Sequence, residues 1–350
     1  MARVANMGKE PHALRIAFLF TSSREGLLEA VRSGKEPDTA LRGLNYLPYA
    51  DAVNMDEARY WFFLLPRLMR YDVVIASDAL PLGFFVSVAS RIRRRKTRFV
   101  YLAITTSTLL RRHARHPFKR FVLKRFWKSY WRIICISSAQ KRDLEQFGML
   151  PEQLELIPFS IDAAYYGATS GGREERFILS VGRDAGRAYA TLLETAQRLK
   201  YPFVIVASQK VLPPGTPLPA NVSVRYNLAA EEIRALYAQA RMVVVVSKPE
   251  SEPVGSDCSG QTVVLEALAA KKAVVVTERT WITDYLVPAE DLSVVSPNSP
   301  VMLAAAIQQL WQDGGRRGRL AASGQTKVRA LYTIEAFARS LEKLFSQIRE

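Results

Sequence analysis

Two short stretches of this chain hold residue types that could do chemistry together. The first, Phe177-Ile-Leu-Ser-Val-Gly-Arg-Asp-Ala-Gly-Arg, ends an apolar run in a glycine-punctuated turn flanked by Arg183 and Arg187. Guanidinium groups stay charged at any physiological pH and bind phosphate oxygens two at a time, so such a pair suits an anion. The second, Ser259-Gly260-Gln261-Thr262-Val263, opens a helix-length apolar segment. A helix start presents backbone N–H groups without partners and the positive end of the peptide dipoles, and Gly260 lets a ligand come close to the backbone. Glu266 follows one turn in, a single carboxylate able to accept two hydroxyl hydrogen bonds. Taken singly, two arginines after a glycine and one glutamate on a helix also describe an ordinary solvated surface. Their meaning depends on the elements that position them.

Short, often β-branched apolar runs alternate with helix-length amphipathic segments, the pattern of parallel α/β layers. Strands are expected over 14–20, 72–76, 98–103, 132–137 and 154–158, and then over 177–181, 203–207, 242–246 and 273–277. Helices are expected over 82–91, 117–131, 139–147, 188–199, 230–240, 262–270, 301–312 and 334–348. Segment 159–175 follows neither period and contains Gly167, Gly171 and Gly172, so it reads as a linker. The fold class is therefore α/β, with two Rossmann-like doubly wound domains over 1–165 and 166–330. Two such domains face each other across a cleft, and ligands lie beyond the carboxyl ends of the strands. Both arginines and the helix start fall in strand-to-helix loops of that kind.

Composition narrows the classes. Hydrophobic residues make up 49% of the 350 and charged ones 23%, a globular mixture that excludes wholesale disorder. A bilayer-spanning helix needs about 20 apolar residues. The best uncharged stretches, 79–90 and 99–110, have 12 residues each and end at arginines. The N-terminus has no secretory signal pattern. Cys135 and Cys258 are too few for a disulfide framework or a four-cysteine zinc site, so a reducing, cytoplasmic setting is expected.

Net charge is +16, and it is uneven: residues 1–165 carry 27 Lys and Arg against 15 Asp and Glu, while 166–350 carry 22 against 18. A polyanion-facing surface on the first domain is expected. Residues 111–132 hold nine Lys and Arg and no acid, interleaved with Phe118, Phe121, Phe126, Trp127, Tyr130 and Trp131. At helical spacing, Phe118, Val122, Leu123, Phe126, Trp127 and Tyr130 share one half-circle. Arg120, Lys124, Arg125, Lys128 and Arg132 share the other. The expected arrangement packs the apolar face on the sheet and turns Arg120, Lys124, Lys128 and Arg132 toward an anionic membrane surface. Nucleic acid would use the same charge, but no nucleic-acid module accompanies it and it is not an expected partner.

In this order the motifs resemble the GT-B fold glycosyltransferases, specifically the large retaining family 4, over residues 70–350. Val181-Gly182-Arg183 with Arg187 is similar to the family's Gly-Arg…Lys loop. Leu265-Glu266-Ala267-Leu268-Ala269-Ala270-Lys271-Lys272-Ala273-Val274-Val275 resembles its "LEAMA…GKPVV" segment. Asp72-Val-Val-Ile-Ala-Ser-Asp resembles "DVVHAH", Ile134-Cys-Ile-Ser-Ser-Ala-Gln-Lys-Arg-Asp-Leu resembles "iiavSealrrdL", and Leu156-Ile-Pro-Phe-Ser-Ile-Asp resembles "vipNGvD".

The resemblance implies transfer of a sugar from a nucleotide-sugar, with retention of anomeric configuration and without a metal or a further cofactor. Arg183 and Arg187, beside Gly182, would grip the diphosphate. Gln261, Thr262 and Val263, after Gly260, would offer it backbone N–H groups, and Glu266 would hold the ribose. Asn227, in the loop Tyr226-Asn-Leu, would stand near the nucleobase. A final helix over 331–350 would pack back on the first domain. The basic first domain favours a lipid-linked or cell-envelope glycan acceptor, reached from the inner face of the membrane.

Three departures stand against the family pattern. Cys258 replaces the first glutamate of its Glu-x7-Glu motif, with Asp257 adjacent as a substitute. Ile75 and Ser77 replace the histidines of "DVVHAH". Thr21-Ser-Ser-Arg-Glu-Gly26 replaces a double-glycine loop, and His12, His113 and His116 match no family position. Alternatives therefore remain: a catalytically weak glycan-pathway binding subunit, a nucleotide-sugar epimerase of related fold, or, from another class, a nucleic-acid-binding protein.

Overall fold

A computed structural model describes residues 14–20, 26–54, 61–77, 80–92, 97–168 and 176–348. The expectations placed on His12, on residues 21–25 and on most of the linker glycines fall outside these residues. The β-branched runs form strands because both faces of each are covered. All residues of β1 (Ile16–Phe20) and of β3 (Val73–Ala76) are buried, as befits parallel sheets sandwiched by helices. With β2 (Ala50–Asn54), β4 (Arg98–Leu102), β5 (Arg132–Cys135) and β6 (Leu154–Leu156) they make a six-stranded sheet in the order β2-β1-β3-β4-β5-β6.

The second sheet comprises β7 (Ile178–Gly182), β8 (Phe203–Ala207), β9 (Val222–Tyr226), β10 (Met242–Val245), β11 (Val274–Thr277) and β12 (Ser293–Val295), in the order β12-β11-β10-β7-β8-β9. Every pairing in it is parallel. The chain starts in the middle of this sheet, runs outward to β9, then crosses back to β10 beside β7, with Ile178 opposite Met242. The strand order reverses between β7 and β10, and a doubly wound sheet opens a crevice at such a point.

All nine expected strands form. The three missed ones, β2, β9 and β12, lie at sheet edges, where one side meets solvent and polar residues such as Asp51, Arg225 and Ser293 interrupt the apolar run. The helix Gly314–Leu331 was not among the expected elements; its Gly314, Gly315, Gly318 and Gly324 weaken any helical signal. Asp313 caps it, its carboxylate accepting from the Arg316 N–H at 2.8 Å, and Leu320, Ala321, Gly324 and Val328 are buried. Gly324 meets the helix Gln261–Ala269 so closely that a Cβ there would overlap Leu268.

One apolar cluster continues from β1, β3 and β4 through Ile161–Tyr166 into β7, β10 and β11, and includes Ile334, Phe337, Leu341 and Phe345 of the final helix. That helix, Ile334–Ser346, lies against the first domain: the Tyr46 hydroxyl donates to Glu335 at 2.7 Å, and the Phe159 and Phe337 rings meet at 5.5 Å.

Candidate active site

The β7 loop brings the first cation inward. Arg187 is 4% exposed, and its Nη2 donates to the Val181 carbonyl at 2.6 Å, folding the guanidinium over Gly182, where any Cβ would overlap it. Its Nε and Nη1 have no protein partner. A buried cation with idle donors is expensive unless an anion completes it. Arg183 is exposed at the rim, where its Nη2 donates to the Leu228 carbonyl at 3.2 Å. Between them Asp184 joins two loops, accepting from the Gly186 N–H at 2.8 Å and the Ser256 N–H at 2.9 Å.

The β10 loop supplies the helix start. Gly260 has φ +90°, and a Cβ there would lie 2.7 Å from Val245 Cγ1 and 2.9 Å from Arg187 Nη1, so glycine is required by conformation and by space. The helix Gln261–Ala269 has no side-chain cap, and Val264 N–H makes its first intrahelical bond, to the Gly260 carbonyl at 3.0 Å. The Thr262 and Val263 N–H groups precede that bond, and both residues line the cavity described next. Gln261 departs from expectation: the turn directs its N–H to the Cys258 carbonyl at 3.0 Å. It contributes its side chain instead, 2% exposed, with Nε2 unpartnered.

These groups share a cavity of about 590 Å³ between the domains, within the size range of small-molecule sites. Gly182, Arg183, Arg187, Gly260, Gln261, Thr262, Val263 and Glu266 all line it. Asn227 does not; it is exposed at φ +56°, and Leu228, Ala229 and Ile233 form that wall instead. The opposite wall, which sequence reasoning did not find, comes from Glu36, Ile104, Ile136 and Phe159, while Tyr166 lines the cavity beside Glu266. Such residues come together only when the domains meet, so no local signal marks them.

Glu266 accepts from the Tyr237 hydroxyl at 2.9 Å and from Tyr166 as well. Burial raises its pKa to about 7, against the opposing pull of the two hydroxyls and of Arg187 and Arg183. Cys258 lines the cavity as a neutral thiol, pushed well above its usual range by burial. Asp257 cannot stand in for a carboxylate at that place. It points away, accepting from the Ser107 and Thr108 N–H groups at 2.8 and 2.7 Å and from Gln140 Nε2 at 2.6 Å.

The sequence of the chain matches the family model described as glycosyl transferases group 1 over residues 175–313, and that of glycosyltransferase family 4 over residues 6–165. The chain belongs to the group 1, family 4-like glycosyltransferases of GT-B fold. Its activity is glycosyl transfer. No curated protein matches the chain. Among solved structures, HepE of Anabaena in complex with UDP and glucose is similar at TM-score 0.71 and 16% identity, covering 96% of this chain and 100% of that one. Sucrose-phosphate synthase of Thermosynechococcus elongatus has TM-score 0.68 and 17% identity, covering 96% and 99%. The lipopolysaccharide outer core galactosyltransferase WaaB, in its apo form, has TM-score 0.61 and 11% identity, covering 95% and 100%. At these identities the likeness is one of fold.

The basic segment of this glycosyltransferase is arranged differently from the half-circle expected for it. The helix ends at Trp127, not at residue 131, so the later residues leave the helical spacing. Leu123, Trp127 and Tyr130 are buried, Tyr130 stacked on Phe99 and Tyr101, while Phe118 and Phe121 are 77% and 66% exposed. Arg132 is in β5, paired with Glu155 at 3.3 Å and donating to Gln347 at 3.2 Å, so it faces its own domain and not a membrane. Arg120 lies over the Phe147 ring at 4.8 Å and Lys124 adjoins Gly148. Lys119, Arg125 and Lys128 are exposed. Among the described residues no helix is long and apolar enough to cross a membrane.

Proposed function

We propose that the protein transfers a sugar from a nucleotide-sugar to a lipid-linked or cell-envelope glycan at the inner face of a membrane. One observation carries the donor reading: a buried guanidinium with two idle donors beside an uncapped helix start in one interdomain cavity. Negative charge builds on the leaving diphosphate as the anomeric bond breaks, and fixed cations and N–H groups there lower the barrier directly. Arg187 and Arg183 hold the diphosphate, Thr262 and Val263 N–H groups and Gln261 Nε2 complete its contacts, and Glu266 accepts from the ribose. The charge that a divalent cation would otherwise supply comes from the two arginines. Retention follows from same-face attack, with a phosphate oxygen of the leaving group taking the acceptor proton. HepE, of similar fold, was solved with UDP and glucose, which supports a nucleoside diphosphate donor.

A membrane-facing acceptor is supported by the net charge of residues 1–165 and by Phe118 and Phe121 standing exposed among Lys119, Arg125 and Lys128. A binding subunit with little turnover is the second reading, favoured by the neutral Cys258 thiol at the cavity wall. Thermal shift against a panel of nucleotide-sugars is the test. We expect stabilisation by one nucleotide series and its loss in Arg187→Ala; a shift that survives this substitution rejects the assignment. Turnover with the selected donor, unchanged by a chelator, separates transfer from binding alone.

A further inference from the structure

The helix Thr106–Arg112 of the first domain begins without a cap of its own, since Thr105 makes no side-chain bond there. Its second and third N–H groups, from Ser107 and Thr108, donate instead to Oδ2 and Oδ1 of Asp257 in the second domain, at 2.8 and 2.7 Å. This is the bonding of an N-cap residue, delivered from across the cleft. Gln140 Nε2 donates to the same carboxylate at 2.6 Å, and the Asp257 N–H donates to the Ile104 carbonyl at 2.9 Å. Each of these bonds joins the two domains and needs the arrangement seen here.

Asp257 is also tied to the donor loops. It stands between Ser256 and Cys258, which both line the cavity. The Ser256 N–H donates to Asp184 at 2.9 Å, and Asp184 follows Arg183 directly. From behind, Arg279 donates to the Asp257 carbonyl at 2.9 Å and to the Lys248 carbonyl at 2.8 Å, clipping the two ends of the loop with one guanidinium. Arg183, Asp184, Ser256 and Asp257 thus form a continuous path from the cation loop to a helix of the other domain. A second carboxylate also crosses the cleft: Asp284 accepts from the N–H of Ser138 at 2.7 Å, at the start of a helix that Ser137 already caps by accepting from the Gln140 N–H at 3.2 Å.

We propose that Asp257 is a positioning residue that holds the two domains together by capping a first-domain helix, from a loop that neighbours the proposed diphosphate contacts. The turnover part of this inference rests on the donor reading above. The proposed diphosphate contacts lie in the second domain, whereas transfer also needs the acceptor that the first domain presents. Loss of the latch therefore separates the two: nucleotide binding persists and transfer declines.

The test compares the full chain with Asp257→Asn, Asp257→Ala, and Asp257→Ala combined with Thr105→Asp, which returns a cap from within the same domain. Hydrogen exchange of 106–112, the radius of gyration by X-ray scattering, affinity for the nucleoside diphosphate chosen by the panel, and transfer kinetics are measured on each. In Asp257→Ala we expect exchange at Ser107 and Thr108 to rise about fivefold or more, and by less in Asp257→Asn, whose amide keeps one of the two acceptor oxygens. The radius of gyration should increase. We also expect kcat to fall about tenfold, with the nucleotide Kd within about threefold of the parent. In the double variant exchange protection returns and kcat stays low. Unchanged scattering with unchanged protection overturns the inference, as does a kcat restored by the local cap. Should Asp257→Ala fail to fold, Asp257→Asn carries the same comparison. A protein that binds no nucleotide rejects the donor reading, while exchange and scattering still decide the latch.

Discussion

Arg187 and Glu266 show how single residues set the chemistry of the cavity. Removing a charged side chain from water is unfavourable, and both are kept there by partial sets of hydrogen bonds: one to the arginine, two to the glutamate. Glu266 has its pKa raised to about 7. Ionised Glu266 opposes folding, so its effect on stability is absent below the usual carboxylate range and grows to a loss of about 3 kcal/mol above pH 7. Binding has the opposite sign, because only the carboxylate accepts two ribose hydroxyls. Tyr166 and Tyr237, which face it, stay protonated, being raised further above their usual value by burial. Nucleotide affinity should therefore increase about tenfold from pH 6 to pH 8, following the ionised fraction. Calorimetry over that range checks this, and Glu266→Gln should flatten the profile; a parent profile already flat removes Glu266 from the ribose contact.

At the scale of elements, the helix Gln261–Ala269 does two jobs with one orientation. Its start faces the cavity, while Val263, Val264, Leu265, Ala267, Leu268 and Ala269 are buried nearly all round. It therefore cannot tilt without disturbing both neighbouring layers. The glycine-rich helix Gly314–Leu331 fixes it from behind at Gly324, where a Cβ would overlap Leu268 and stand 3.0 Å from the Asp291 carbonyl. Gly324→Val should destabilise the protein by about 1–3 kcal/mol in chemical denaturation and weaken nucleotide binding, because the displaced helix carries the Thr262 and Val263 N–H groups. Full stability in that variant would show that the helices have room to separate. The glycines that concealed this helix in the sequence are thus partly explained by close packing, a reason that no periodicity reveals.

For the whole molecule, charge and shape act together. The first domain carries the larger share of the positive charge, and Phe118 and Phe121 extend from it beside exposed cations. Two aromatic side chains entering a lipid interface contribute about 1.5–3 kcal/mol each if fully buried, and each nearby cation about 1 kcal/mol on an anionic surface. The double substitution Phe118→Ser and Phe121→Ser should lower flotation with anionic liposomes at least about tenfold. High salt should lower it too, leaving nucleotide binding intact. Flotation unaffected by both changes would exclude this face as the contact.

Local order and the two loops that line the cavity were legible from sequence. Buried parallel strands must be continuous apolar runs, and the crowded helix start at φ +90° demands the glycine that marks it in the sequence. The edge strands, the glycine-rich helix, Tyr166 and Tyr237 around Glu266, and the turning of Asp257 toward Ser107 were decided by tertiary structure. Each depends on contacts between residues distant in the chain, within a domain or across the two, which no local pattern encodes.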